Sequence, residues 1–307
     1  MTERRAAVNI DVDGLYLYDR IHGMEREGFD PATTNPVAWT RGVVRFLDLL
    51  DRMAVRGTFF VVARDLDHPD ARAVLREVVA AGHEIGDHSM EHAYDLSRGR
   101  RHVIAEELSA ARKALEDFCG VAVQGFRAPG YVVSDELLEA VVDSGHVYSS
   151  SRFPSPPYQL AKAAIIALYR LRGRTSHSIP EAPSVWFGRT TPGVQRLPSG
   201  RALLEFPIGV VPGLRLPFIG TSVIALGRLG QRALQPLLDG APWLNFECHA
   251  MDLTDFEGDG IPERFRVQPE HRVPLSRKWP LFVRAIEGMK AGHEVRTLLE
   301  WSEREFA

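Results

Sequence analysis

The sequence has few cysteines and no long apolar segment, and both absences restrict the class of protein. Its two cysteines, Cys119 and Cys248, lie in neither a C-x-x-C nor a zinc-ribbon spacing, so we expect neither a disulfide framework nor a cysteine metal site. No uncharged apolar run approaches the ~20 residues of a membrane-spanning helix. The N-terminus lacks the apolar segment of a signal peptide, so we expect a cytoplasmic protein.

Internal repeats and low-complexity tracts are also absent, which argues against solenoid and propeller folds. With 307 residues, 45% of them hydrophobic and 25% charged, the composition is that of a globular protein. The formal net charge of −3 is unevenly distributed, because residues 151–201 carry eight Lys or Arg and a single Glu. No nucleic-acid-binding motif accompanies these charges and the rest of the chain is acidic, so we expect no nucleic-acid partner.

Short β-rich runs alternate with helical patterns along the chain, which predicts a parallel sheet covered by helices. At this length we favour a distorted, TIM-like (β/α) barrel over a doubly wound sheet. We interpret residues 1–307 as a single catalytic domain with a proline-rich, basic cap inserted at about 151–200. Strands are predicted at Ala6–Asp11, Gly57–Ala63, His83–Gly86, Val121–Phe126, His146–Ser150, Ala202–Phe206, Trp243–Cys248 and Glu294–Thr297. Helices are predicted at Val37–Met53, Pro69–Ala81, Val103–Phe118, Ser134–Ser144, Tyr158–Leu171 and Pro280–Lys290.

Three polar clusters follow predicted strands, where parallel barrels collect their catalytic residues. They are Asn9–Gly14, Gly86–His92 and Phe126–Tyr131. His88 and His92 are four residues apart, which in a helical turn places both imidazoles on one face, close enough to bind one metal ion. A carboxylate would complete a ligand set that leaves positions open for water and substrate. The alternative is a surface helix that begins with two solvated histidines.

The joint pattern carries more information than the histidine pair. Asp13-Gly14, His88-Ser89-x-x-His92 and Arg127-x-Pro129-x-Tyr131, in this order, resemble the first three motifs of the polysaccharide deacetylase family, the NodB-homology or family-four carbohydrate esterases. The resemblance covers residues 6–150 and, more loosely, the end of the chain. It implies a distorted (β/α) barrel that hydrolyses an N-acyl group, acetyl or formyl, from an amino sugar of a cell-surface glycan or its precursor.

The first motif departs from the usual pattern of the family, in which two aspartates are adjacent. Here Val12 separates Asp11 and Asp13, a form similar to that of deformylases and deacetylases of lipid-linked amino sugars and of some amidases. The resemblance implies that Asp13, His88 and His92 bind one divalent metal ion, with zinc expected and Co, Ni, Fe or Mn as alternatives. It also implies that Asp11 is the general base that deprotonates the attacking water.

Three further roles follow from the resemblance. Arg127 would orient the base carboxylate, and the backbone N–H of Tyr131 would be the oxyanion donor; an ordinary strand-end ion pair and a Pro-Gly turn are the alternatives. His249 matches the acid histidine and would protonate the leaving amine, although a strand-end histidine bonded to a loop carbonyl would look the same. Glu247 and Asp252 are both candidates to orient His249, and the sequence does not choose between them.

The fourth motif of the family, which tunes the acid histidine, has no clear counterpart after Tyr148–Ser151. Glu205 is the candidate for this role. The gap leaves two other functions open: a metal-independent amidase that acts on a small cyclic amide, and a degenerate carbohydrate-binding protein. The intact motif residues argue against both, and loss of activity with a chelator would separate the first from a metal-dependent hydrolase.

The basic cap has two interpretations. Its predicted helix is apolar, with Lys162, Arg170, Arg172 and Arg174 around it, which is consistent with a helix at a membrane surface. Residues 157–174 would then contact the inner face of the membrane, and the substrate would be linked to a lipid phosphate. The alternative is a cap helix that packs on the mouth of the barrel with solvated arginines.

Overall fold

One curled sheet organises the computed structural model, which describes residues 3–21, 31–171 and 183–306. Within these ranges the sheet has nine strands. The strands are β1 (Arg5–Val12), β2 (Thr58–Val61), β3 (Glu84–Asp87), β4 (Gly125–Phe126), β5 (Tyr148–Ser149), β6 (Gly193–Arg196), β7 (Ala202–Glu205), β8 (Trp243–His249) and β9 (Glu294–Val295). The α-helices are α1 (Leu15–Ile21), α2 (Val44–Met53), α3 (Pro69–Ala80), α4 (Arg101–Cys119), α5 (Asp135–Asp143), α6 (Pro156–Leu171), α7 (Pro183–Trp186), α8 (Gly220–Asp239), α9 (Leu275–Gly292) and α10 (Leu298–Phe306).

The strand order is β6-β7-β5-β4-β3-β2-β1-β8, and β9 pairs with the beginning of β1. All pairs are parallel except β6 with β7. The carboxyl ends of the parallel strands therefore meet at one edge of the curled sheet. The predicted α/β fold with a distorted (β/α) barrel is confirmed. In the described part of the chain, no helix combines the length and the apolar character needed to cross a membrane.

Strand β1 shows how the sequence alternates between the two faces of the sheet. Ala6, Val8, Ile10 and Val12 belong to the large core between sheet and helices, whereas Ala7 packs in a separate cluster with Phe60, Tyr148 and Trp301. Successive side chains of a strand point to opposite faces. Asn9 and Asp11 therefore share the inner face with Ala7, and Asp13 follows just beyond the strand.

The prediction and the structure differ at two helices for identifiable reasons. The helix predicted at Val37–Met53 begins with a π-helical turn at Ala38–Val43, where a Cβ on Gly42 would lie 2.1 Å from the carbonyl oxygen of Ala250. Helix α8 is absent from the prediction because it contains three glycines and Pro236, and its Gly227 has a φ of 59°. Such residues normally interrupt a helix.

The short strands and the cap also differ from the prediction. The strands predicted at Val121–Phe126 and His146–Ser150 are reduced to β4 and β5, two residues each. Within the predicted cap, α6 matches the expected helix, while β6 pairs antiparallel with β7 and extends the sheet. The cap therefore contributes a strand to the sheet as well as a helix. Arg172 and Arg174 lie outside the described residues.

Candidate active site

The carboxyl edge of the sheet brings together the polar clusters that follow β1, β3, β4 and β8. Asp11, Asp13, His88, His92 and His249 line one cavity of about 140 Å³. All but His249 are almost completely buried. Buried ionisable groups need partners, since desolvation of a charge is expensive. The arrangement of partners around each group therefore shows what the cavity can do.

His88 and His92 converge, but not in a helical turn as predicted. The segment after β3 is an irregular loop in which Ser89 has a φ of 67° and His92 a φ of 53°. The N–H of Ser89 donates to Asp87 Oδ1 at 2.8 Å, and the N–H of His92 donates to Ser89 Oγ at 2.9 Å. Glu107 Oε1 accepts the N–H of Met90 at 2.9 Å. These bonds hold the two imidazole rings edge to face, with centroids 4.6 Å apart.

Asp13, His88 and His92 fit a metal ion in geometry and in donor chemistry. Asp13 Oδ1 lies 3.5 Å from the Nε2 atom of each histidine, and ligands about 2.1 Å from a tetrahedral ion are roughly 3.4 Å apart. Asp13 Oδ1 is buried and accepts no hydrogen bond from the described residues. His88 Nδ1 lies 2.8 Å from the carbonyl oxygen of Arg127. Because a carbonyl oxygen can only accept a hydrogen bond, His88 Nδ1 carries the ring proton. The lone pair of Nε2 is therefore left for the ion.

The charge of Asp13 also suits a ligand. Burial by itself would raise the pKa of Asp13, but the imidazoles of His92 and His88 outweigh it and lower that pKa. Burial lowers the pKa of His92 to about 3. A carboxylate beside a neutral imidazole is the form in which these groups bind metal ions.

Asp11 lies beside this group and is bound by a buried arginine. Arg127 Nη1 donates to Asp11 Oδ1 at 2.9 Å, and Arg127 Nε donates to the carbonyl oxygen of Ser150 at 2.7 Å. The guanidinium also lies over the ring of Phe60, 4.3 Å from its centroid. Burial raises the pKa of Asp11, although Arg127 and His88 oppose the shift. Arg127 thus fixes the orientation of the carboxylate while burial makes it a better proton acceptor.

Glu247 is the residue that contacts the ring of His249, a choice the sequence left open. His249 Nδ1 lies 3.0 Å from Glu247 Oε1, whereas Asp252 accepts the backbone N–H of His249 at 2.9 Å. Burial would lower the pKa of His249, but the carboxylate of Glu247 outweighs it and raises that pKa well above its ordinary value. Glu205, the candidate for the role of the missing fourth motif, instead accepts the N–H groups of Ser151 and Arg152.

Tyr131 reaches the site in a different way from the one predicted. Its backbone N–H donates to the carbonyl oxygen of Ala128 at 3.0 Å, so the predicted oxyanion donor is engaged in a turn. Its hydroxyl, by contrast, lies 3.5 Å from Asp11 Oδ2 and 3.4 Å from His249 Nε2.

Five lining residues of the cavity were not singled out as site residues by the sequence analysis. Tyr94 packs edge-on against His92 with ring centroids 4.9 Å apart, and its position two residues after the histidine was a usable signal. Lys162 of α6 donates to the carbonyl oxygen of Gly130 at 3.0 Å. The other three line the wall without a motif to mark them: Tyr18, Ile21 and Tyr158.

Comparison with known proteins identifies the family of part of this chain. Residues 29–149 match the family model for polysaccharide deacetylases. These residues belong to the polysaccharide deacetylase family. The polysaccharide deacetylase region contains the β3 loop and β4, and β1 with the two aspartates precedes it.

Two curated relatives are chitooligosaccharide deacetylases of bacteria. The one from Sinorhizobium fredii (strain NBRC 101917 / NGR234) is 36% identical over 101 residues, which are 32% of this chain and 45% of the relative. The one from Bradyrhizobium sp. (strain ANU 289) is 32% identical over 101 residues, 32% of this chain and 44% of the relative. The chain thus spans less than half the length of these relatives.

Solved structures share the fold over almost the whole chain. A candidate polysaccharide deacetylase from Mycobacterium smegmatis superimposes with a TM-score of 0.58 at 20% identity, over 99% of this chain and 90% of that chain. Puue allantoinase superimposes with a TM-score of 0.59 at 13% identity, over 97% of this chain and 89% of that chain. At these identities the likeness establishes the fold alone.

Proposed function

We propose that the protein is a metal-dependent hydrolase that removes an N-acyl group, acetyl or formyl, from an amino sugar. The observation that carries the proposal is the convergence of Asp13, His88 and His92 beside two charged pairs, Asp11 with Arg127 and His249 with Glu247. Membership of residues 29–149 in the polysaccharide deacetylase family supports it, as does the similarity to chitooligosaccharide deacetylases.

A divalent ion held by Asp13, His88 and His92, with zinc as the expected ion, would activate water and polarise the acyl oxygen. Asp11 would accept the proton of the attacking water, because burial raises its pKa while Arg127 holds one of its oxygens. Two carboxylates at the carboxyl end of β1 thus have different tasks. Asp13 binds the ion, and Asp11 moves the proton.

His249 would deliver a proton to the nitrogen of the leaving amine. Glu247 raises the pKa of His249, so the imidazole is protonated before the amide is cleaved. Its Nε2 atom faces the cavity, 3.7 Å from Asp13 Oδ2, and Nδ1 is held by Glu247. Base and acid therefore lie side by side, on the paired strands β1 and β8, and both line the cavity that would hold the amide.

The substrate in this proposal is an amino sugar linked to a lipid phosphate, and the protein binds peripherally to the inner face of the membrane. Helix α6 supports this part, because it carries Lys162 at the cavity and exposes several apolar side chains. Four apolar side chains of this helix are 44–86% exposed: Leu160, Ile165, Leu168 and Leu171. A lysine would attract a phosphate, and the exposed apolar side chains would enter the lipid surface.

The experiment for the hydrolytic function measures acetate or formate released from N-acetyl and N-formyl amino sugars, with and without a chelator. We expect release by wild type, loss with the chelator, recovery on adding zinc, and a loss of at least about 1,000-fold in Asp13→Ala. Asp67→Ala, which changes an exposed aspartate on the same edge, is the control and should match wild type. Release that persists in the chelator would instead support the metal-independent amidase.

The experiment for the membrane part is sedimentation with vesicles of phosphatidylglycerol or of phosphatidylcholine. We expect wild type to sediment with the anionic vesicles and the double variant Ile165→Asp, Leu168→Asp to remain in solution. Equal sedimentation of both proteins would contradict a role for α6 at the membrane.

A further inference from the structure

Tyr131 has a backbone conformation that an aromatic residue seldom adopts. Its φ is 62°, and the φ of the preceding Gly130 is 60°. The left-handed region is strained for a bulky side chain, and such strain persists mainly where the surrounding structure holds it at functional sites. Placing tyrosine here turns its side chain into the cavity, so the side chain is the feature to explain.

The hydroxyl of Tyr131 lies between the two groups that would transfer protons. It is 3.5 Å from Asp11 Oδ2 and 3.4 Å from His249 Nε2. Hydrogen bonds made by hydroxyl groups are normally about 2.7–2.8 Å long, so Asp11 Oδ2 holds the proton of this hydroxyl only weakly. The Nε2 atom of protonated His249 carries its own proton and cannot accept another. A closer acceptor that enters the cavity would take the hydrogen bond.

The ring of Tyr131 is fixed and its hydroxyl keeps its proton. Phe153 and Tyr158 pack edge-on against the ring at centroid distances of 5.6 Å and 6.3 Å. The residue is 4% exposed. Burial raises the pKa of the phenol well above its ordinary value, and the charges of Glu247 and Asp11 add to the shift. The hydroxyl is therefore a neutral, preorganised donor at neutral pH.

We propose that the hydroxyl of Tyr131, rather than its backbone N–H, is the oxyanion donor of this site. It donates a hydrogen bond to the carbonyl oxygen of the scissile amide as negative charge develops there. The phenol proton stays on the tyrosine, so this interaction adds no bond-making step to the hydrolysis. The backbone N–H is committed to Ala128 at 3.0 Å. This role rests on the proposed N-deacylase function, because it needs an acyl oxygen in the cavity.

The test is Tyr131→Phe, which removes the hydroxyl but keeps the ring and the backbone N–H. We expect kcat to fall about 10- to 100-fold with KM changed less than about twofold. A phosphonate analogue of the tetrahedral intermediate should bind more weakly by a similar factor, while affinity for the deacylated amine stays the same. Tyr148→Phe makes the same change at a buried tyrosine at the opposite end of the sheet, and its kcat should match wild type.

Each contrary result has a distinct meaning. Wild-type kcat and analogue affinity in Tyr131→Phe would overturn the proposal and return the oxyanion role to the backbone N–H. A loss of activity accompanied by loss of bound metal, or by an equal weakening of amine binding, would show a structural role and also overturn it. If wild type releases no acyl group from any amino sugar, the proposed function itself is wrong, and the role of Tyr131 is rejected with it.

Discussion

Two buried carboxylates at opposite ends of the same sheet show how burial can serve stability or chemistry. Glu84, at the amino end of β3, accepts hydrogen bonds from Thr58 Oγ1 at 2.6 Å, from the N–H of Leu299 at 2.9 Å and from the hydroxyl of Tyr148. Asp13, at the carboxyl end of β1, faces two imidazole nitrogens instead of donors from the fold.

The pKa shifts of Glu84 and Asp13 have opposite signs because the two carboxyl groups have different neighbours. Burial raises the pKa of Glu84 despite its hydrogen bonds, whereas the imidazoles beside Asp13 lower the pKa of that group. At the amino end the fold surrounds a carboxyl group with its own donors. At the carboxyl edge the fold instead places the carboxylate of Asp13 against the ring nitrogens of His88 and His92. The difference between the two ends, rather than burial itself, marks the site.

The largest effect that sharpens this comparison is expected from Asp11→Asn. The amide keeps the shape of the carboxylate but cannot accept a proton, so kcat should fall about 100- to 10,000-fold. Metal content should stay that of wild type, because Asp11 is not one of the three ligands. Steady-state rates and elemental analysis of the same preparation check both statements. A variant within tenfold of wild type would remove Asp11 from the mechanism.

Glu84→Ala should have the opposite outcome, with a large effect on stability and none on rate. Removing this carboxylate leaves buried donors of Thr58 and Tyr148 unsatisfied, which should lower the free energy of unfolding by about 2–4 kcal/mol. Denaturant unfolding measures the loss, and kcat per folded molecule should equal that of wild type. A stable variant with reduced kcat would contradict the division between the two ends.

Glu247→Gln should reduce kcat by about 10- to 100-fold. The carboxylate of Glu247 keeps His249 protonated, and an amide lacks the charge that does so. Steady-state kinetics measure the change, with exposed Glu303→Gln as the control. If Glu247→Gln retains wild-type kcat, the interpretation of His249 as an acid that Glu247 keeps protonated is wrong.

The last prediction concerns the pH dependence of stability and comes from Asp65, a carboxylate near the site that is satisfied by the fold. Its oxygens accept hydrogen bonds from the hydroxyl of Tyr16 and from Trp39 Nε1, both at 2.7 Å. Burial raises the pKa of Asp65 to about 7. The folded chain therefore binds one proton more than the unfolded chain between about pH 4 and 7, and this contribution to stability is lost as pH rises through 7.

Asp65→Asn, which does not titrate, tests this sign. Relative to wild type, the free energy of unfolding of the variant should rise by about 1.4 kcal/mol per pH unit between pH 5 and 7. Denaturant unfolding at pH 5, 6, 7 and 8 measures the difference. A difference that stays constant over this range would show that Asp65 has no raised pKa.

Much of the fold could be predicted because strong periodicity has a direct structural cause. Apolar residues on both faces of β1 mark a strand inside the protein, and the amphipathic patterns of α3 and α4 mark surface helices. Parallel topology then places Asp13, His88 and Arg127 at one edge before any coordinates are known. Helix α8 escaped prediction because its glycines and Pro236 contradict its helical role locally.

The fine geometry of the site depended on features that composition does not encode. His88 and His92 converge because Ser89 and His92 have left-handed backbone conformations in an irregular loop. The spacing of four residues between the two histidines therefore does not reflect a helix. The direction of the Tyr131 hydroxyl depends on a left-handed turn as well. Glu247 could have been chosen from sequence, since residues two apart on β8 share a face with each other.

The most direct test of the central claim is the metal content of purified wild type, Asp13→Ala and His92→Ala. The account predicts about one equivalent of a divalent transition metal in wild type, removable by a chelator and restored by zinc. Both variants should bind none while keeping the fold. A wild-type protein that takes up no zinc, cobalt or nickel, or variants that bind as much as wild type, would contradict the assignment of this edge as a metal centre.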